Sequence, residues 1–124
     1  MKVACGTDII EISRIKKSIL HSGQKFLNKV YTAKEIEYCE SRNNAKYQHY
    51  AARFASKEAV FKALNSIIED KFSVSWQNIE ILNDSKGRPY INLINIKLPA
   101  IINIDISISH CREYAVASVI MVYG

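Results

Sequence analysis

Two separated segments carry side chains suited to phosphate chemistry. Gly6-Thr7-Asp8 places a carboxylate two residues past a glycine, within a run of strand-like character. Arg53-Phe54-Ala55-Ser56-Lys57-Glu58-Ala59-Val60-Phe61-Lys62-Ala63-Leu64 places Glu58 and Lys62 at i and i+4 on one helical face, with Arg53 about a turn earlier. Carboxylates hold hard cations, and basic side chains meet phosphate. Were Asp8 and Glu58 adjacent without a counter-ion, their repulsion would raise one pKa. A Mg²⁺ ion held by the two carboxylates, substrate phosphate oxygens and water removes that conflict. Arg53, Lys57 and Lys62 are then candidates to meet the remaining charge of a diphosphate.

Each residue also has a plainer reading. An exposed Glu58–Lys62 pair contributes only a few tenths of a kcal/mol. Against this, Glu58 is flanked by Phe54, Ala55 and Phe61, and a partly buried carboxylate needs a partner. Asp8 also suits a turn after a strand. Ser107-Ile108-Ser109-His110 brings hydroxyls and an imidazole together, but neighbours in a strand point to opposite faces and no orienting acid is evident. His110 therefore reads as a phosphate contact or a plain strand-end histidine rather than a catalytic base. No GxxxxGK[ST] or GxGxxG loop is present, which disfavours an ordinary P-loop or dinucleotide fold.

The elements that must position these residues follow from periodicity. Residues 2–10 read as a short buried strand in which Gly6 permits close backbone approach. Ile12, Ile15 and Ile19 lie at helical spacing, with Arg14, Lys16, Lys17 and His21 pointing elsewhere and Gly23 ending the helix. Thr32 and Glu35 form a capping-box pattern opening a helix over about 33–42, stopped by Asn43-Asn44. The longest helix is expected over about 45–65, where Ala52, Ala55, Ala59 and Ala63 make a small-residue stripe. Thereafter the period becomes two. Strands at 79–82 and 90–93 flank the turn Asp84-Ser85-Lys86-Gly87; residues 104–109 alternate strictly, and a β-branched run covers about 114–122. Helices and strands come in blocks, so the expected fold is α+β, one domain over 1–124, with an antiparallel sheet packed against a long central helix.

Composition sets outer bounds. Of the 124 residues 48% are hydrophobic and 23% charged, which is globular rather than disordered. Three cysteines without a CxxC pair read as free thiols in a reducing compartment. No leader pattern opens the chain and no apolar run approaches about 20 residues, so a cytoplasmic protein is expected, with no membrane partner. A net charge of +5 favours acidic partners. Nucleic acid is disfavoured, because the aromatics do not gather with Lys and Arg on one strand face and no recognition motif appears.

Taken together, five colinear blocks resemble the holo-acyl-carrier-protein synthases, the small 4′-phosphopantetheinyl transferases. They are Gly6-Thr7-Asp8-Ile9 with Arg14, Val30-Tyr31-Thr32 with Glu35, Arg53 through Leu64, Ile79-Glu80-Ile81 through Gly87-Arg88-Pro89, and Ser107-Ile108-Ser109-His110 through Ala115-Val116-Ala117. The resemblance implies Mg²⁺-dependent transfer of 4′-phosphopantetheine from coenzyme A to a serine of apo-acyl carrier protein, releasing adenosine 3′,5′-bisphosphate and supporting fatty acid biosynthesis. It makes Asp8 and Glu58 the metal ligands and, with Lys62, the catalytic set. Arg53, Lys62, His110, Gly87 and Pro89 become coenzyme A contacts, and Lys57 shares the motif without an assigned contact. The serine proton would pass to Glu58, Asp8 or a water at the metal. Arg14, Lys17 and His21 would dock the acidic carrier protein, and the expected assembly is a homotrimer with active sites at subunit interfaces. A catalytically dead relative is disfavoured by the intact Asp8, Glu58 and Lys62. The chain departs from the family at Ala4, and at Asn65-Ser66-Ile67, which replaces a Gly-Thr-Gly-like loop that lets backbone approach a ligand.

Overall fold

A computed structural model describes residues 1–70 and 73–124. Strand β1 (Lys2–Glu11) leads directly into α1 (Ile12–Ser22), followed by α2 (Gln24–Val30), α3 (Ala33–Glu40) and α4 (Lys46–Leu64). The hairpin β2 (Ile79–Asn83) and β3 (Pro89–Leu93) follows, and then the long strands β4 (Ile101–His110) and β5 (Tyr114–Tyr123). All pairings are antiparallel, in a three-stranded sheet of order β1-β5-β4 and a separate two-stranded sheet. The fold is the expected α+β arrangement around a long central helix.

Side-chain alternation decides what α4 meets. Ala4 and Gly6 on β1 are buried and Asp8 and Ile10 half-buried, whereas the alternating Val3, Cys5, Thr7 and Ile9 are exposed. Even-numbered β1 residues thus face α4, whose Ala55, Ala59 and Ala63 are fully buried. The fit is close enough that a Cβ on Gly6 would stand 2.0 Å from the Ala59 carbonyl oxygen. The sheet packs Ala117, Val119 and Met121 against the same helix, and the hairpin adds Ile79 and Ile81. A second core gathers Ile15, Ile19, Leu27, Val30, Tyr31, Tyr50 and Ala115 between the short helices and the first half of α4.

The helix boundaries have identifiable causes. Gly23 at φ 53° ends α1, its N–H returning to the Ile19 carbonyl, and α2 starts at the next residue. This seven-residue helix was not expected from the sequence; it is too short to show a clear period. The capping box at Thr32 forms in full: the Glu35 N–H donates to Thr32 Oγ1 and the Thr32 N–H to Glu35 Oε1. Asn43, at φ 54°, separates α3 from the start of α4. Among the described residues no helix is long and apolar enough to cross a membrane.

Candidate active site

Because Asp8 shares the even face of β1 with Gly6, it points toward the last turns of α4. There Lys62 Nζ donates to the Thr7 carbonyl at 2.9 Å and to Asp8 Oδ1 at 3.1 Å. Glu58, one turn earlier on the same helix face, is half-buried. Its carboxyl is raised above the usual range by burial first and by the Asp8 charge second, with Lys62 opposing. Two carboxylates thus face one ammonium, an excess of one negative charge. Asp8, Glu58 and Arg14 line a cleft of about 380 Å³ walled by Phe26 and Phe54.

The donor set suits a hard divalent cation. Asp8 and Glu58 supply oxygen ligands whose mutual repulsion is only partly compensated by Lys62. No cluster of three or more His, Cys, Asp or Glu occurs among the described residues. Two protein carboxylates with the remaining positions left to ligand and water oxygens is a usual arrangement for Mg²⁺.

Lys57 does not join them. One residue on an α-helix is a rotation of about 100°, so Lys57 leaves α4 toward the interior while Glu58 leaves toward the cleft. Its side chain is fully buried and forms an ion pair with the equally buried Glu35 at 2.6 Å. It also donates to the Val30 carbonyl at 2.6 Å and the Trp76 carbonyl at 3.1 Å, which occupies the donors of an ammonium. The expectation that Lys57 meets phosphate is therefore corrected: it is an internal staple. Glu35 is satisfied too, accepting from the Thr32 and Ile81 N–H groups at 2.8 Å each. The capping-box pattern marked Glu35 in the sequence, but only as a partner of Thr32.

Arg53 faces a different cleft. Five residues before Glu58, it is rotated by about 140° on the helix. It is 4% exposed, lies over the Tyr38 ring at 4.2 Å and donates to Asn83 Oδ1 at 2.6 Å. Its cleft, about 540 Å³, is also lined by Lys34, Arg42 and Gly87. Gly87 adopts φ 83° in a turn that the Asp84 carboxylate holds through the Lys86 and Arg88 N–H groups. Pro89 opens β3 beside Arg88 and lines a further cleft with Ser107. His110, exposed at the end of β4, has its ring 6.4 Å from that of His49. Lys17 and His21 are exposed on α1. The chain thus brings together Asp8, Glu58, Lys62 and Arg14, and gathers Arg53 and Gly87 elsewhere. Tyr38, Arg42 and His49 were not singled out from the sequence; their only signals are the four-residue spacings 38/42 and 49/53.

A model of the 4′-phosphopantetheinyl transferase superfamily matches residues 4–119, nearly the whole chain. The chain belongs to that superfamily. This phosphopantetheinyl transferase is 48% identical over 129 residues to a holo-[acyl-carrier-protein] synthase of Ruminiclostridium cellulolyticum, the match covering 100% of this chain and 95% of the relative. It is 50% identical over 113 residues to the corresponding synthase of Chlamydia caviae, covering 90% of each. Among solved structures, the transferase superposes on the Helicobacter pylori synthase in complex with coenzyme A with a TM-score of 0.83 at 33% identity, covering 95% of this chain and 99% of that one. On the Bacillus anthracis synthase in complex with CoA (3′,5′-ADP) the TM-score is 0.77 at 34% identity, with 95% and 94% coverage.

Proposed function

We propose that this transferase moves 4′-phosphopantetheine from coenzyme A to a serine of an apo-acyl carrier protein, with Mg²⁺ as cofactor, releasing adenosine 3′,5′-bisphosphate. The observation that carries the reading is the Asp8–Lys62–Glu58 arrangement: uncompensated carboxylate charge beside a half-exposed ammonium. Asp8 and Glu58 would hold Mg²⁺, which when bound supplies Lewis-acid neutralisation of the diphosphate.

The chain's own residues account for the rest. The serine oxygen of the carrier forms a bond to the β-phosphorus as the bond to the bridging oxygen breaks, and the electron pair leaves on the nucleotide phosphate. Lys62, anchored by Thr7 and Asp8, sets a positive charge where that negative charge develops. Two unit charges 4 Å apart interact by about 4 kcal/mol at an effective dielectric of 20, enough to matter against a reaction barrier. The serine proton goes to a carboxylate of the cleft. Glu58 is the better acceptor, because Asp8 is tied to Lys62 while Glu58 has no such ion pair among the described residues. Arg14 at the cleft and the exposed Lys17 and His21 beyond it suit the acidic carrier.

Arg53 and Gly87 lie in a separate cleft from Glu58, and pairing two copies of the chain would let one coenzyme A touch both sets. A homotrimer with interfacial sites provides that pairing. The exposed Val3, Ile9 and Ile120 on the sheet give such an assembly an apolar face to cover. A cytoplasmic setting and a role in fatty acid biosynthesis belong to the same reading. The test is to incubate the protein with coenzyme A, Mg²⁺ and apo-acyl carrier protein and weigh the carrier by mass spectrometry. A phosphopantetheine adduct, lost in folded Asp8→Ala and Glu58→Ala, is expected. Absence of the adduct with several carriers would refute the proposal.

A further inference from the structure

Arg53 carries a buried charge that forms no ion pair among the described residues. Among the described residues the side-chain ion pairs are Lys46–Glu40, Lys57–Glu35 and Lys62–Asp8, and none includes Arg53. Its one side-chain hydrogen-bond acceptor, Asn83, is neutral, and its buried Nε has no partner at all. Further cationic or protonatable groups gather near it, one from the preceding turn of α4 and two from other segments. The Arg42 guanidinium, just past α3, lies over the same Tyr38 ring at 4.5 Å. His49, one turn before Arg53 on α4, meets Tyr38 edge-on at 5.4 Å, and His110 of β4 lies beyond it at 6.4 Å. The acids nearby are engaged elsewhere: Asp84 holds its own turn, and Glu40 accepts from Lys46 and Tyr50. Arg53 is the buried member of this group, His49 is half-buried, and Arg42 and His110 are exposed beside it; a buried charge without an ionic partner is costly until an anion reaches it.

We propose that His49 is a phosphate-binding residue, joining Arg42, Arg53 and His110 on a phosphomonoester dianion and taking up a proton as that dianion binds. The inference rests on the coenzyme A reading above and assigns this cluster the ribose 3′-phosphate. The diphosphate belongs with Asp8, Glu58 and Lys62, and the monoester is the one other anion that coenzyme A carries. In the free protein the His49 ring is held below its usual pKa by burial first, then by Arg53, Arg42 and His110. A dianion set among the same groups reverses the electrostatic part of that penalty and favours the imidazolium, which donates to it.

Calorimetry near pH 7 tests this, since a phosphomonoester with a second pKa of about 6 is already mostly dianionic there. Coenzyme A and 3′-dephospho-coenzyme A are titrated into the protein in two buffers of different ionisation enthalpy. Both ligands carry the diphosphate, so any proton exchange at Asp8 or Glu58 cancels between them. Coenzyme A should take up on the order of half a proton more than the dephospho form. His49→Phe, which keeps a ring on Tyr38, should abolish that difference and weaken coenzyme A about tenfold, the loss of one hydrogen bond to a charged group, while leaving the dephospho form unchanged. His49→Gln should abolish the uptake too, which guards against a packing defect of the Phe variant. Tight coenzyme A binding without differential uptake, or uptake that survives in both variants, would overturn this inference alone. Failure of both ligands to bind would overturn it together with the coenzyme A reading.

Discussion

Replacing Lys57 by Met should destabilise the protein severely, and the structure sets the scale. Lys57 and Glu35 are both fully buried and 2.6 Å apart. Without the ammonium, Glu35 keeps its Thr32 and Ile81 N–H donors but loses its counter-ion, and the Val30 and Trp76 carbonyls each lose a donor. Breaking a buried pair from one side costs about 3–5 kcal/mol, set against a total of about 5–15 kcal/mol for a domain. With a urea m-value of about 2 kcal/mol/M, the midpoint should fall by about 2 M. Adding Glu35→Gln to Lys57→Met removes both charges and leaves an amide oxygen to accept from the Thr32 or Ile81 N–H. The double variant should recover half or more of the loss, giving a coupling energy of at least about 1.5 kcal/mol in the cycle. A Lys57→Met protein with an unchanged midpoint and a raised KM for coenzyme A would refute the reasoning, because it would mean that Lys57 serves the ligand and not the interior.

Three further outcomes follow from the same geometry. Gly6→Ala sets a methyl 2.0 Å from the Ala59 carbonyl oxygen and 2.9 Å from the Ala63 nitrogen, both backbone atoms; lifting α4 off β1 should cost about 3 kcal/mol in denaturant unfolding and abolish adduct formation. The raised Glu58 carboxyl means that between pH 4.5, its ordinary value, and its folded value the native state binds more protons than the unfolded chain. Stability of the metal-chelated protein should therefore fall as pH rises through that window. In Glu58→Gln the thermal midpoint should lose that slope and should no longer respond to Mg²⁺. Arg14→Glu should raise KM for the carrier protein about tenfold or more with little change for coenzyme A; equal effects on both substrates would count against docking.

Much of the frame was legible because it rests on local periodicity. The alanine stripe of α4, the alternation of β4 and the Thr32–Glu35 capping box each declare themselves within a dozen residues, and Gly6 signalled the close contact that Ala59 makes. Seven-residue α2 was not legible, since two turns hold too few apolar positions to fix a period. Glu80 is another case: in the sequence it is an acid in a strand, while in the fold it is buried, accepting from Thr32 Oγ1 and Asn92 Nδ2. Which partner a buried polar side chain finds depends on elements tens of residues away, so no local pattern reports it.

The motif around Glu58 shows the same limit from the other side. Arg53, Lys57, Glu58 and Lys62 look like one charged patch when written in a line, and that is how a sequence invites them to be read. On a helix, a step of one residue turns about 100° and a step of five about 140°, so Glu58 and Lys62, four apart, share one face while Arg53 and Lys57, also four apart, share another. Lys57 and Arg53 are thereby forced away from them, one into the interior against Glu35 and the other beneath Tyr38. Their separation is also what holds Glu58 in place. A helix packed through small alanines can roll about its axis with little steric resistance, but a fully satisfied buried ion pair tolerates almost no rotation before its hydrogen bonds break. With Lys57 fixed to α3 and the Val30 and Trp76 carbonyls, the next residue must emerge at the edge of the cleft beside Asp8. The lysine that turns into the interior is what aims the glutamate at the cleft.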